Sequence, residues 1–60
     1  MINIDFLLQD NGFFSYVRKD NTLTFTGGPL LMADVYAVSE LFNRYAIMHE
    51  VFDNGTIILK

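Results

Sequence analysis

The chain contains no cysteine and no tryptophan, and it has a single proline and a single histidine among its 60 residues. Without cysteine it can form neither a disulfide nor a thiolate ligand, and His49 alone cannot supply the several nitrogen and sulfur ligands of a zinc site. These absences predict a protein that uses no metal and no cofactor.

Basic residues are also scarce. Arg18, Lys19, Arg44 and Lys60 are the four cations, and they are scattered along a chain whose net charge is −3. Nucleic-acid binding depends on neutralising several phosphates with clustered cations. Direct binding of DNA or RNA is therefore not expected.

Membrane signals are missing from the sequence as well. Residues 1–5 read MINID, without a basic segment followed by an apolar one, and no apolar run approaches the roughly 18 residues of a membrane span. We expect a cytoplasmic protein that does not bind membranes.

Apolar residues, by contrast, make up 52% of the chain and aromatic residues 15%. The length predicts one domain spanning residues 1–60, and a domain of this size buries only about 60% of the surface of its unfolded chain. The core cannot hide every large apolar side chain, so some are expected to meet another protein surface.

The first half of the sequence has the pattern of strands. Ile2, Ile4, Phe6 and Leu8 alternate with other residues, which is typical of a half-buried strand. Asp10-Asn11-Gly12 is a hairpin-turn sequence, and residues 13–17 form the expected return strand. Residues 22–26 alternate threonine with apolar residues as a third strand, which ends at Gly27-Gly28-Pro29.

The second half begins with a helix and ends with another hairpin. Apolar residues spaced by four and three predict a helix from residue 30–33 to about 46, with its stripe formed by Leu31, Val35, Val38, Phe42 and Tyr45. Residues 47–52 and 56–60 flank a second Asp-Asn-Gly turn. The expected fold is therefore α+β: a small antiparallel sheet of about five strands (β-β-β-α-β-β), covered on one face by a single amphipathic helix.

Several large side chains remain after this core is filled. Met32 and Tyr36 lie off the helix stripe, and the uncovered sheet face is expected to carry Leu7 together with residues of later strands. A contiguous aromatic and methionine-rich surface favours a homodimer or a protein partner. The candidate interface residues are Tyr16, Met32, Tyr36, Met48, Phe52 and Ile58.

No catalytic residue is predicted. His49 and Glu50 are neighbours in an expected strand and so point to opposite faces, and neither Ser15 nor Ser39 has a recognisable base. Gly27-Gly28-Pro29 lacks the lysine and the spacing of a phosphate loop and is better explained as a connector. Acidic side chains at turns and on the helix are candidate partner contacts: Asp10, Asp20, Asp34, Glu40 and Asp53.

Residues Leu7-Leu8-Gln9-Asp10, Gly12 and the aromatic residues Phe13, Phe14 and Tyr16 resemble the first hairpin of the small uracil-DNA glycosylase inhibitors of Bacillus phages. More broadly, a short, acidic, cysteine-free chain is similar in kind to the inhibitors that bacteriophages make against host defence proteins. This sequence lacks the dense acidic edges by which the glycosylase inhibitors imitate DNA, so their binding residues are not carried over.

The leading hypothesis is a phage-type inhibitor that acts as a homodimer in the host cytoplasm and occludes a defence protein such as a nuclease or helicase. One alternative is inhibition of uracil-DNA glycosylase by partial DNA mimicry. A second alternative is a structural or assembly module, or a ligand-binding module whose site forms between protomers.

Overall fold

The computed structural model describes residues 3–60. They fold into a four-stranded sheet and two α-helices. A short 3-10 turn, Gly28–Leu30, leads into the second helix. In chain order the elements are α1 (Ile4–Asp10), β1 (Tyr16–Lys19), β2 (Thr22–Phe25), α2 (Leu31–Arg44), β3 (His49–Val51) and β4 (Thr56–Leu59).

The strands pair in the order β1-β2-β4-β3, and every pairing is antiparallel. The register places Leu23 of β2 opposite Ile57 of β4, and Ile57 opposite Val51 of β3. Residues directly opposite in an antiparallel pair point to the same face. The side chains of Leu23, Phe25 and Ile57 are buried, which defines one covered face of the sheet.

Both helices lie on that covered face and share one core with it. Helix α1 contributes Leu7 and Leu8, and the sheet contributes the three buried residues just described. The buried residues of α2 are Val35, Val38, Leu41 and Phe42. The α+β class is therefore confirmed, but the sheet has four strands rather than five and carries two helices rather than one.

The N-terminal segment is a helix, and the expected first strand is wrong. The Asn3 side chain caps the helix by accepting a hydrogen bond from the Phe6 backbone N–H at 3.0 Å. Ile4, Leu7 and Leu8 have the spacing of one helix face, and Leu7 and Leu8 are buried. Phe6, which alternation would bury, points to solvent. Ile2, the expected start of the strand, lies outside the described residues.

Asn11-Gly12 closes helix α1 instead of turning a hairpin. The Gly12 N–H donates to the Gln9 carbonyl at 3.1 Å, and the Phe13 N–H donates to the Leu8 carbonyl at 2.9 Å. Gly12 has a φ of +85°, as this Schellman arrangement requires. The expected return strand over residues 13–17 begins only at Tyr16.

Helix α2 and the second hairpin confirm the expectations for the rest of the chain. The helix ends in a Schellman arrangement too, but its left-handed position is occupied by Ala46, with a φ of +57°. Of the expected stripe, Tyr45 is largely exposed, whereas Leu41 is a core residue that the stripe left out. In the β3–β4 turn, Gly55 has a φ of +88° and lies against the Leu31 side chain.

Candidate functional surfaces

The sheet face opposite the helices is uncovered among the described residues. The pairing continues one residue beyond β3 at each end, through Phe52 N–H to the Thr56 carbonyl and Lys60 N–H to the Met48 carbonyl, both at 2.9 Å. Alternation therefore places two rows of side chains on this open face. The apolar row is Val17, Thr24, Thr56 and Phe52, and the charged row is Lys19, Thr22, Ile58 and Glu50.

Three of the predicted interface residues, Met48, Phe52 and Ile58, share this open face. Met48 lies just beyond the charged row and is 71% exposed. Val17 is also 61% exposed there, although sequence reasoning did not select it. Val17 lies at the edge of the sheet because β1 pairs only with β2, since the expected N-terminal strand is helix α1.

Charged side chains mark the two edges of the open face. Lys19 lies on the β1 edge, and Glu50 lies on the β3 edge in the same row. Glu50 also makes an ion pair of 3.1 Å with Lys60. The face is thus threonine-rich and apolar in its middle, with Lys19 at one edge and Glu50 at the other, and Lys60 lies on the same face beside Glu50.

Tyr16 and Leu7 were expected on the open face, but they lie on the covered side. The Tyr16 ring packs against Phe25 with centroids 5.8 Å apart, and its hydroxyl donates to Asp5 at 2.7 Å. Partial burial raises the pKa of the Tyr16 hydroxyl, and the hydrogen bond to Asp5 raises it further. Met32 is likewise half-buried against the core.

The outer surface of α2 around Tyr36 is uncharged, because Asp34, the one charged residue in the first half of the helix, is only partly exposed and lies beside Gly27. Tyr36 is 60% exposed between Ala33 and Ala37, and Leu30, just before the helix, is 70% exposed. Charged residues on this surface begin at Glu40, which pairs with Arg44. Two further exposed aromatic residues, Phe6 and Phe14, belong to α1 and the loop that follows it. Sequence reasoning missed both because it assigned them to strands.

Ser39 and His49 form a hydrogen-bonded pair that the sequence did not indicate. Ser39 Oγ lies 2.6 Å from His49 Nε2, and His49 Nδ1 lies 2.8 Å from the Ile47 carbonyl oxygen. Because a carbonyl can only accept, Nδ1 carries a proton, so in the neutral ring Nε2 accepts from the serine hydroxyl. The Phe42 ring meets the imidazole edge-on at 5.3 Å and fixes its orientation.

The Ser39–His49 pair has the hydroxyl and the base of a nucleophilic site, but it lacks the donors that would stabilise an oxyanion. Ser39 lies inside α2, so the helix hydrogen bonds occupy the backbone N–H groups around it, and they cannot stabilise an oxyanion. Asn43 lines the same cleft one helical turn away and is a single side-chain donor. The arrangement fits a half-buried histidine with both nitrogens satisfied.

A second cleft lies between the start of α1 and the end of the sheet. Asp5, Arg18 and Lys60 contribute charged groups to it, and Ile4 and Leu59 contribute apolar surface. Asp5 and Arg18 form an ion pair of 3.1 Å with each other. Lys60 forms its ion pair with Glu50. Since each of these charges already has a partner of opposite sign, the cleft does not favour a ligand of either sign.

The acidic candidate contacts lie on separate elements. Asp10 ends α1, Asp20 lies in the β1–β2 turn and Asp53 lies in the β3–β4 turn. Asp34 and Glu40 are on α2. In residues 3–60, no three His, Asp or Glu side chains are grouped so that they could hold a metal ion.

Comparison with protein-family models, with curated proteins and with solved structures finds no match to this chain. Neither helix in the described part of the chain has the length and apolar character needed to cross a membrane.

Proposed function

We propose that this chain is a non-catalytic protein-binding module that inhibits a partner by covering its surface. The observation that carries the proposal is the uncharged outer surface of α2 around Tyr36. We call Leu30, Ala33, Tyr36 and Ala37 the Tyr36 surface. Solvent-facing helix surfaces are ordinarily polar, so an apolar one of this length favours a docking role.

The residue types of the Tyr36 surface suit docking into an apolar groove. A tyrosine buries a large ring while its hydroxyl keeps a polar contact, and tyrosine is enriched at the energetic centres of interfaces. Ala33 and Ala37, on either side of Tyr36, are small enough to let a partner approach the helix backbone. Anchors at helical spacing are a recurring mode of peptide and protein recognition.

The partner that we propose is a host defence protein, such as a nuclease or a helicase. Support comes from the resemblance in kind to phage-encoded inhibitors and from the weak catalytic prospects of the Ser39–His49 pair. A stoichiometric inhibitor needs a stable scaffold and one good contact surface, and both fit within 60 residues.

The test is a tagged capture from bacterial lysate with identification by mass spectrometry, followed by binding measurements on the purified partner. Tyr36→Ala should weaken binding by at least about tenfold, the scale of an interface anchor. Tyr45→Ala is the matched control, because Tyr45 is another exposed tyrosine at the far end of α2.

Capture of a nuclease or helicase that depends on Tyr36 but not on Tyr45 would support the proposal. Capture of no stoichiometric partner, or equal binding by both variants and the parent protein, would overturn it. A uracil-excision assay with excess protein separates glycosylase inhibition from the other inhibitory targets.

A further inference from the structure

We propose that the open face of the sheet packs against the same face of a second copy, about a twofold axis that runs parallel to the strands between β2 and β4. The inference goes beyond the binding of a foreign partner, because it uses the opposite side of the molecule from the Tyr36 surface. It follows from the arrangement of side chains in the two rows of the open face.

The axis would place each edge strand over the other edge strand of the second copy. With the strand order β1-β2-β4-β3, β1 lies over the second copy's β3, and β2 lies over its β4. Rotation about an axis parallel to the strands keeps each row at its own height. Each row of one copy therefore faces the same row of the other copy, with the order of its residues reversed. The strands of the two sheets run nearly parallel to each other, as is common in face-to-face sheets.

The apolar row is self-complementary under this rotation. Val17 of one copy faces Phe52 of the other at both ends of the row, and Thr24 faces Thr56 in the middle. A branched aliphatic side chain against an aromatic ring buries apolar surface from both edges. The threonines in between are short enough to let the two sheets approach.

The charged row is complementary in the same way. Lys19 of one copy faces Glu50 of the other, and the symmetry makes this pair twice. Thr22 faces Ile58 between them. Met48 and Lys60, which are opposite each other, lie outside both rows and fall at the rim of the contact.

An axis perpendicular to the strands would lose this complementarity. If that axis passed through the charged row, Lys19 would face Lys19 and Glu50 would face Glu50. If it passed between the rows, Val17 would face Lys19 and Phe52 would face Glu50. Contacts between like charges, or between charges and apolar groups, are unfavourable. The positions of the charged and apolar side chains in the two rows therefore favour the axis along the strands.

The size of the face sets the expected strength of the dimer. Four strands about 4.8 Å apart, each about four residues long at about 3.3 Å per residue, give a patch of roughly 19 by 13 Å. Two such patches come to roughly 500 Å² in projection, well below the roughly 1,200 Å² of stable specific interfaces, so the dimer should be weak and transient and should dissociate on dilution.

The test measures the oligomeric state of the full chain by sedimentation velocity from about 1 µM to about 1 mM, the range in which a small interface associates. The parent protein should pass from monomer to dimer within it. Lys19→Glu should raise the dissociation constant by about tenfold or more, because it creates two like-charge contacts and leaves the Glu50–Lys60 pair intact.

The double variant Lys19→Glu/Glu50→Lys restores both opposite-charge contacts between the copies. It also replaces the exposed Glu50–Lys60 ion pair by two lysines, which costs little at an exposed site, so it should recover part of the dimer. Val17→Asp should abolish the dimer while the exposed position lets the domain fold, which circular dichroism would verify. Tyr36→Ala should dimerise like the parent protein. The dimer and the binding of a foreign partner can therefore be tested independently of each other.

A folded parent protein that stays monomeric throughout the concentration range would overturn the inference. So would a dimer that Lys19→Glu and Val17→Asp leave unchanged, since such a dimer uses another surface. Failure of the double variant to bind more tightly than Lys19→Glu alone would refute the proposed axis.

Discussion

The Tyr16 hydroxyl donates a 2.7 Å hydrogen bond to Asp5 and thereby joins the first strand to the first helix. Arg18, two residues further along β1, donates to the other oxygen of the same carboxylate at 3.1 Å. One carboxylate thus receives two donors from the covered face of β1. This contact fixes a seven-residue helix that is too short to be stable alone.

We predict that Tyr16→Phe lowers the free energy of unfolding by about 1 kcal/mol, the usual contribution of a partly buried hydrogen bond. The ring packing against Phe25 is kept, so the loss measures the hydroxyl. Urea denaturation of Tyr16→Phe, Asp5→Asn and the double variant provides the measurement. Strictly additive losses would show that the two groups do not interact.

The raised pKa of Tyr16 predicts a loss of stability at alkaline pH. The folded protein holds the hydroxyl proton more tightly than the unfolded chain, whose tyrosine pKa is about 10. This contribution is therefore complete below about pH 10 and is lost as the pH rises from there through the folded pKa. Unfolding midpoints across this range should fall less steeply in Tyr16→Phe. Parallel curves for the two proteins would contradict the prediction.

Gly55→Ala should be strongly destabilising. A Cβ at this position would lie 2.6 Å from Leu31 Cδ2, and the φ of +88° disfavours any side chain. We expect a loss of about 2–3 kcal/mol, the sum of backbone strain and displacement of the partly buried Leu31 side chain. Gly12→Ala is the matched control, because Gly12 has a φ of +85° but nothing within 4 Å of an added Cβ. It should cost only about 1 kcal/mol. Equal losses in thermal melts would show that the Leu31 contact is unimportant.

Ala46→Gly should stabilise the protein. Ala46 occupies the left-handed position that closes α2, where Gly12 closes α1, and it is exposed. Glycine removes the backbone strain at this φ of +57°, but it also has greater conformational freedom in the unfolded chain. The net increase in the free energy of unfolding should be about 0.5–1 kcal/mol. A melting temperature that falls would mean that the Ala46 methyl group contributes contacts worth more than the strain.

Ser39 should not react with a fluorophosphonate probe, because the helix provides no free backbone donors for an oxyanion. Ser39→Ala should instead lower stability by about 1 kcal/mol, since it leaves His49 Nε2 without its partner. Mass spectrometry of the treated protein checks the first expectation, and urea denaturation checks the second. Stoichiometric labelling that Ser39→Ala abolishes would establish a nucleophile.

The second half of the fold could be predicted from the sequence because its local signals agree. Pro29, the apolar spacing of α2 and the Asp-Asn-Gly turn each favour the element that forms. In the first half the signals conflict. Ile4 and Leu8 fit both an alternating strand and a helix face, and Asn11-Gly12 suits both a hairpin and a helix end. Asn3, three residues before Phe6, is the cap that indicates the helix.

The candidate surfaces were predictable to different degrees. Met48, Phe52 and Ile58 share a face because strand alternation is local, and Tyr36 follows from the helical period. The Ser39–His49 pair joins α2 to β3 across ten residues, and only the packing of the helix on the sheet brings it together. Tyr16 was predicted on the open face but lies on the covered face, because β1 follows helix α1 and does not return from a hairpin turn.

The position of β4 has a consequence for the synthesis of the protein. This strand follows every other element in chain order, yet it lies inside the sheet between β2 and β3 and contributes the buried Ile57. A nascent chain that has emerged only as far as β3 therefore exposes two unpaired strand edges and an incomplete core. Until β4 leaves the ribosome, such a chain is open to proteases, to chaperones and to pairing with a neighbouring nascent chain.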